Sequence, residues 1–290
     1  MDYTLSEWIQ LAGSGSMAQA AVSAQALESG MEEAAVRDAM RHHLHCMREA
    51  ARSGLDERLR SVSGLTGGQA AMFMKRLQEG RLLCGNLLGR AEVYALATAE
   101  CNACMGKIVA APTAGACGIL PGAVLAMMEE RGATEDEAVD ALFTAAAVGQ
   151  AIASQASISG AEGGCQAECG SASAMAAAAI VQMAGGTPDM AIHAAAIAIK
   201  NQLGLVCDPV AGLVEVPCVK RNAGGVMNAI CAAEMALAGI QSVIPPDEVI
   251  AAMREVGCAL PSDLRETAKG GLAATPTAQE LTQRIFKAER

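Results

Sequence analysis

The run Thr134-Glu-Asp-Glu-Ala-Val-Asp-Ala-Leu-Phe-Thr-Ala-Ala-Ala-Val-Gly-Gln-Ala-Ile-Ala-Ser-Gln-Ala156 decides the fold class. Its first four residues form a capping box, in which a Thr hydroxyl and a Glu carboxylate satisfy the free amides of a helix start. The rest is a run of small side chains with no Pro and no charge after Asp140. Ala gives up almost no side-chain entropy in a helix, and small residues let neighbouring helices come close. The whole chain shares this bias. Apolar residues make up 52% of its 290 residues, yet the aromatics are only three Phe, two Tyr and one Trp. A β-sandwich draws on β-branched and aromatic residues, so the composition predicts an all-α fold, a compact helical domain with Gly/Pro-rich loops. With 18% charged residues, disorder is excluded.

Outward from that run, helix punctuation recurs. Ser14-Gly-Ser16 opens a segment that stops at Gly30. Val36, Met40, Leu44 and Met47 form an apolar stripe on one helix face, ended by Gly54. Thr187-Pro188-Asp189 supplies an N-cap, a proline at the first helical position and an early acid. Pro245-Pro246-Asp247 opens a helix ending near Gly257, and Thr277-Ala-Gln-Glu280 reads as a second capping box. Irregular Gly/Pro-rich segments are expected at 61–68, 106–122, 158–170, 204–225 and 261–277, and Ile108-Val-Ala-Ala111 hints at a strand. No repeat or linker divides the chain, so one domain over 1–290 is expected, its first 60 residues a helical N-terminal part.

The charge balance is 21 basic against 31 acidic residues, net −10, without the basic stripe of a nucleic-acid protein. Arg37 to Arg48 and Lys75 to Arg81 read as solvated helix faces. The uncharged stretches Ala141 to Ala161 and Cys169 to Pro188 approach membrane-spanning length. Their Ala, Ser, Gly and Gln content lacks the apolarity lipid insertion requires, and both are expected to be buried helices. Met1-Asp-Tyr-Thr shows no basic and apolar leader, so a cytoplasmic protein is expected, with no membrane partner.

Eleven cysteines, an odd count without a secretion signal, argue against a disulfide framework. Cys46, Cys84, Cys231 and Cys258 read as core residues. His42, His43 and His45 share one helix, where consecutive positions cannot converge on a single metal. The other seven cysteines lie between 101 and 218, several in Gly-rich sequence.

Three segments could carry chemistry. Ser61-Val-Ser-Gly-Leu-Thr-Gly-Gly68 puts hydroxyls and glycine amides before a helix, a cradle for a carboxylate or phosphate, or an ordinary capped turn. Glu100 to Gly118 holds Cys101-x-x-Cys104, without the second pair a zinc site needs, and Lys107, which would suit a pyridoxal phosphate Schiff base. Cys165 and Cys169 lie in Ser157-Ile-Ser-Gly-Ala-Glu-Gly-Gly-Cys-Gln-Ala-Glu-Cys-Gly170, with Cys207 and Cys218 each beside Pro or Gly further on. Three thiolates can hold three irons of a [4Fe–4S] cluster and leave the fourth open as a Lewis acid. Spacing alone leaves scattered structural cysteines as the competing reading.

Five long runs go further: SGLTGG at 63–68, KIVAAPTAGACGILPG at 107–122, SISGAEGGCQAECGSASAMAAAA from 157, CDPVAGLVEVPCVKRNAGG at 207–225 and LRETAKGGLAATPT at 264–277. Through them nearly the whole chain resembles the α subunit of bacterial iron–sulfur-dependent L-serine dehydratases. The resemblance implies a [4Fe–4S] cluster on Cys165, Cys207 and Cys218, whose separations of 42 and 11 residues fit the family pattern. Cys169 is an alternative ligand, and Cys101 and Cys104 have no implied role. A separate β subunit with a Ser-Ser-His-Thr stretch is implied as partner, in a hetero-oligomer. That stretch is absent here, and so is the terminal cysteine of some single-chain members.

The implied reaction is β-elimination of water from L-serine to pyruvate and ammonia, within serine catabolism and gluconeogenesis, at a core spanning 61–290. The base is expected on the partner. Ser63, Gly64, Thr66, Gly67 and Gly68 would hold the substrate carboxylate, with Lys107, Lys220 and Arg221 as second-line charge balance. Alternatives are an iron–sulfur cysteine desulfidase-like lyase, a pyridoxal phosphate dehydratase using Lys107, and a non-catalytic scaffold subunit.

Overall fold

The computed structural model describes residues 2–287, and within them thirteen α-helices and no strand are formed. They are α1 Leu5–Ala12, α2 Met17–Ser29, α3 Glu33–Ser53, α4 Gln69–Gln78, α5 Asn86–Ala103, α6 Ile119–Arg131 and α7 Glu135–Gln155. A four-residue α8, Gly160–Gly163, precedes α9 Ser171–Met183, α10 Pro188–Lys200, α11 Cys218–Leu237, α12 Pro246–Ala259 and α13 Pro276–Lys287. The Thr134 capping box starts α7 as read, with both reciprocal bonds present. Ser16 caps α2, Gly30 ends it in the left-handed conformation, and Thr187 caps α10 with Pro188 at its start.

The Ala-rich α9 is the hub. Every residue from Ser171 to Val181 is buried, and α6, α7, α10 and α11 pack around it. A helix buried on all sides needs an apolar surface all round, which Ser-Ala-Ser-Ala-Met-Ala-Ala-Ala-Ala-Ile-Val supplies without bulk. Close approach is literal at the α5–α6 contact. A Cβ on Gly118 would stand 2.2 Å from the Ala95 carbonyl oxygen, and one on Gly122 would stand 2.7 Å from that of Ala91. The stripe on α3 also packs inward, with Val36, Leu44 and Met47 buried and Met40 half-buried. Among the described residues no helix is long and apolar enough to cross a membrane.

Several expectations need correction. Ile108–Ala111 forms no strand; Gly106 and Pro112 flank it, and among the described residues there is no strand to pair with it. The segments 106–122 and 204–225 become helical in their second parts, at Ile119 and at Cys218, so Lys220, Arg221 and Gly224–Gly225 are on α11. Within 158–170, α8 is followed by a five-residue π-helical turn, Gln166–Gly170, that runs directly into α9. The last helix starts at Pro276 rather than after Thr277. Proline has its φ preset for a helix start, and the Thr275 hydroxyl accepts the Ala278 amide at 3.4 Å. Cys231 and Cys258 are exposed on the outer faces of α11 and α12 rather than in the core, and Cys84 is half-buried.

Candidate functional site

The cradle at 61–68 binds anions, but they belong to the chain. Glu100, on α5 and with no exposed surface, puts its carboxylate at the start of α4. Its Oε1 accepts the amides of Gly67 and Gln69 at 3.1 and 3.0 Å and the Thr66 hydroxyl at 3.3 Å. Its Oε2 accepts the Ala70 amide at 3.0 Å. Free amides and the positive dipole end of a helix favour a carboxylate there. A second buried carboxylate, Glu215, takes hydrogen bonds from Ser61 at 2.6 Å and from Ser63 at 2.8 Å. The loop is therefore fastened to the segment between Cys207 and Cys218. Ser63, Thr66 and Gly67, expected at a substrate carboxylate, donate here to Glu215 and Glu100. Gly64 turns the loop with φ +73°, its amide donating to the Ser61 carbonyl at 3.0 Å, and Gly68 lies at φ +74° just before α4.

Cys165, Cys207 and Cys218 come from three separate segments and face one buried region. Cys165 directly precedes the π-helical turn, a local widening often found at functional positions. Cys218 is the first residue of α11. Cys207 lies in irregular chain, in an isolated bridge to Arg265. Burial pushes the Cys218 thiol up to about 12, with the Cys165 sulfur and Glu168 adding to it. Cys207 is raised by burial first, then by Cys165 and Glu168. Cys165 goes the other way. A hydrogen bond with the Cys169 thiol, their sulfurs 3.4 Å apart, holds it below the usual thiol range against burial, with help from the Arg221 charge.

Glu168 stands among these thiols. Its Oε1 accepts the Thr113 hydroxyl at 2.7 Å, and its Oε2 lies 3.9 Å from the Cys207 sulfur. Burial raises its pKa, against the Thr113 bond. A Cβ on Gly160 would meet Oε2 at 2.6 Å and the Cys207 sulfur at 3.1 Å. Arg221 and the buried Asp208 form an ion pair of 2.9 Å beside the cysteines. Lys107 and Lys220 are exposed. Cys101 is buried, its thiol 3.9 Å from the Lys107 carbonyl oxygen, and Cys104 caps α5. Among the described residues no three of His, Cys, Asp and Glu are gathered closely enough to share one metal ion.

Sequence reading missed Glu100, Glu168, Asp208 and Glu215. A signal existed for the first, a lone acid in the otherwise uncharged run Val93 to Met105. An unpaired carboxylate in such a run must find buried donors.

Residues 10–273 match the family described as serine dehydratase alpha chain. The chain belongs to that family. It is 57% identical over 247 residues to a probable L-serine dehydratase alpha chain of Bacillus subtilis, covering 85% of this chain and 82% of that one. To the L-serine dehydratase alpha chain of Peptoniphilus asaccharolyticus it is 51% identical over 219 residues, 74% and 75% of the two chains. A Streptomyces coelicolor protein named L-serine dehydratase is 46% identical over 183 residues, 62% of this chain but only 40% of that longer one. Family members thus occur with an alpha-chain name at about this length and as part of longer chains.

Proposed function

We propose that this chain is the alpha subunit of an L-serine dehydratase, a cytoplasmic lyase that removes water from L-serine with a [4Fe–4S] cluster on Cys165, Cys207 and Cys218. The observation that carries this is the family match over residues 10–273. We read 1–290 as one domain, with 1–60 as a helical N-terminal part whose α3 packs against α5 and α2 against α7 of the cluster and substrate core.

The residues suit the cofactor. Cluster thiolates bind different irons and so need not converge on one point, as ligands of a single ion must. Three soft sulfur donors from three segments, a neighbouring guanidinium and the close backbone approach at Gly160 suit an anionic iron–sulfur group. When bound, the cluster would supply an iron without a protein sulfur, a Lewis acid for the departing hydroxyl.

The chain's own part is placement. Ser63 and Gly64 would meet the substrate carboxylate at the rim of the loop by exchanging their bonds to Glu215 and to the Ser61 carbonyl for it, while Thr66 and Gly67 act indirectly by holding that loop on Glu100 and Gly68 turns the chain into α4. Arg221 supplies fixed positive charge beside the thiols, and Lys107 and Lys220 add positive potential at the exposed edge. Loss of the α-proton and the β-hydroxyl gives 2-aminoacrylate, which tautomerises to the imine and hydrolyses to pyruvate and ammonia. The base that takes the α-proton comes from a β subunit. Val62, 88% exposed beside Ser63, and Val214, 36% exposed beside Glu215, are apolar residues suited to a partner surface. A stable complex would bury on the order of 1,200 Å² or more.

Two measurements test this. Replacing Cys165, Cys207 or Cys218 by Ser should each abolish iron and sulfide binding after anaerobic reconstitution, while Cys46→Ser or Cys231→Ser should leave it intact. Full iron in any of the first three removes that residue from the ligand set. The cluster-loaded chain alone should release little pyruvate from L-serine, and addition of a β subunit should restore it. Full activity of the lone chain would place the base within these 290 residues.

A further inference from the structure

Arg221 stands on the first turn of α11, one turn from Cys218. Its Nη1 donates to the Val206 carbonyl oxygen at 2.8 Å and its Nη2 to Asp208 Oδ1 at 2.9 Å. These acceptors are the two chain neighbours of Cys207. One planar fork, rooted on the helix that carries Cys218, thus grips both flanks of Cys207. The Cys165 segment joins the same stretch through its next residue: the Gln166 amide donates to the Leu205 carbonyl at 2.9 Å, and the Gln166 Oε1 accepts the Gly204 amide at 2.9 Å. All three cysteine segments are thus tied to the stretch of chain that Arg221 grips.

Asp208 extends the connection. Its Oδ2 accepts the Leu272 amide at 2.8 Å. Gly271 has φ +57°, and a Cβ there would stand 2.4 Å from that oxygen, so the contact needs a glycine. The Cys207 amide donates to the Leu264 carbonyl at 2.9 Å, and the Cys207 carbonyl accepts the Glu266 amide at 2.8 Å. A strap of chain, 264–272, therefore closes on Cys207 by three hydrogen bonds, one of them through Asp208.

We infer that Arg221 is a positioning residue, which with Asp208 latches the strap 264–272 over Cys207 and fixes the three cysteine segments in one arrangement before any cluster is bound. This rests on the cluster reading and deepens it. Cysteines distant in sequence lose much conformational freedom when brought together, and a preformed arrangement lowers that cost at the moment of assembly. Charge alone would not do this. Lysine carries the same charge on a single ammonium and cannot fork between Val206 and Asp208 in one plane.

Arg221→Lys in the full chain separates geometry from charge, and Asp208→Asn is the second variant. In the metal-free proteins, amide exchange at 206–208 and 264–272 should rise about tenfold, with α9 unchanged. After anaerobic loading with ferrous iron and sulfide, chelator-driven bleaching of the visible absorbance should be about tenfold faster than in the parent. Visible circular dichroism, which reports ligand arrangement, should differ at matched iron content. If Arg221→Lys exchanges and bleaches like the parent, Arg221 acts through charge alone and the latch is overturned. If the parent takes up no iron and sulfide, the cluster reading fails, and the exchange comparison in metal-free chains still decides the latch.

Discussion

The Ser63 hydroxyl donates to the Glu215 carboxylate at 2.8 Å, joining the loop before α4 to the segment that separates Cys207 from Cys218. Two regions 152 residues apart in sequence thereby become one surface. The bond is charge-assisted and the carboxylate is buried, so it should be stronger than an ordinary surface contact.

Its energy can be read from a double-mutant cycle with Ser63→Ala and Glu215→Gln. A hydrogen bond to a charged group is worth about 1.5–3 kcal/mol, and a coupling of roughly that size is expected in denaturant unfolding. Strictly additive losses would show that the contact carries no energy. In the assembled enzyme, Ser63→Ala should raise KM for L-serine more than it lowers kcat; the opposite pattern would remove Ser63 from substrate binding.

Glu100→Gln keeps the size of the buried side chain but turns an amide donor toward groups that are themselves donors. Leaving buried donors unsatisfied costs about 1–3 kcal/mol each. The denaturant midpoint should fall with an unchanged slope, and amide exchange at Gly67, Gln69 and Ala70 should rise. A midpoint equal to that of the parent would mean that a neutral amide serves these donors as well as the carboxylate does.

The start of α13 separates two threonines. Thr275→Ala should cost local stability of about 1 kcal/mol, the usual value of an N-cap, and speed exchange of the Ala278 amide. Thr277→Ala, inside the helix, should change little. The reverse ranking would restore the capping box read from Thr277 and Glu280.

Oxygen tests the cofactor. A cluster on three cysteines has one iron without a protein sulfur, and oxidation releases that iron first. Activity of the assembled enzyme should decay in air and return with ferrous iron plus reductant, whereas reductant alone should restore little. Activity unchanged after long aeration would count against the cluster.

The sequence by itself determined the helices and their company. Capping boxes and Pro or Gly punctuation are local, and a run such as Ser171 to Val181 can only be a helix buried on every side. The family runs around Cys165, Cys207 and Cys218 named the candidate ligands for the same reason: each is a contiguous stretch of chain. Only the tertiary structure decided where the loop's donors point. The cradle at 61–68 reads as an anion site in any context. That its anions are Glu100 and Glu215 depends on α5 and the 207–218 segment being folded against it, which no spacing encodes. The same holds for Asp208 and Arg221, whose pairing joins α11, Cys207 and the strap. Hydrogen bonds within a helix connect residues three or four apart and leave a pattern in sequence. Those between a loop and a distant buried carboxylate are set by packing geometry, and they become visible only once the core has placed both partners.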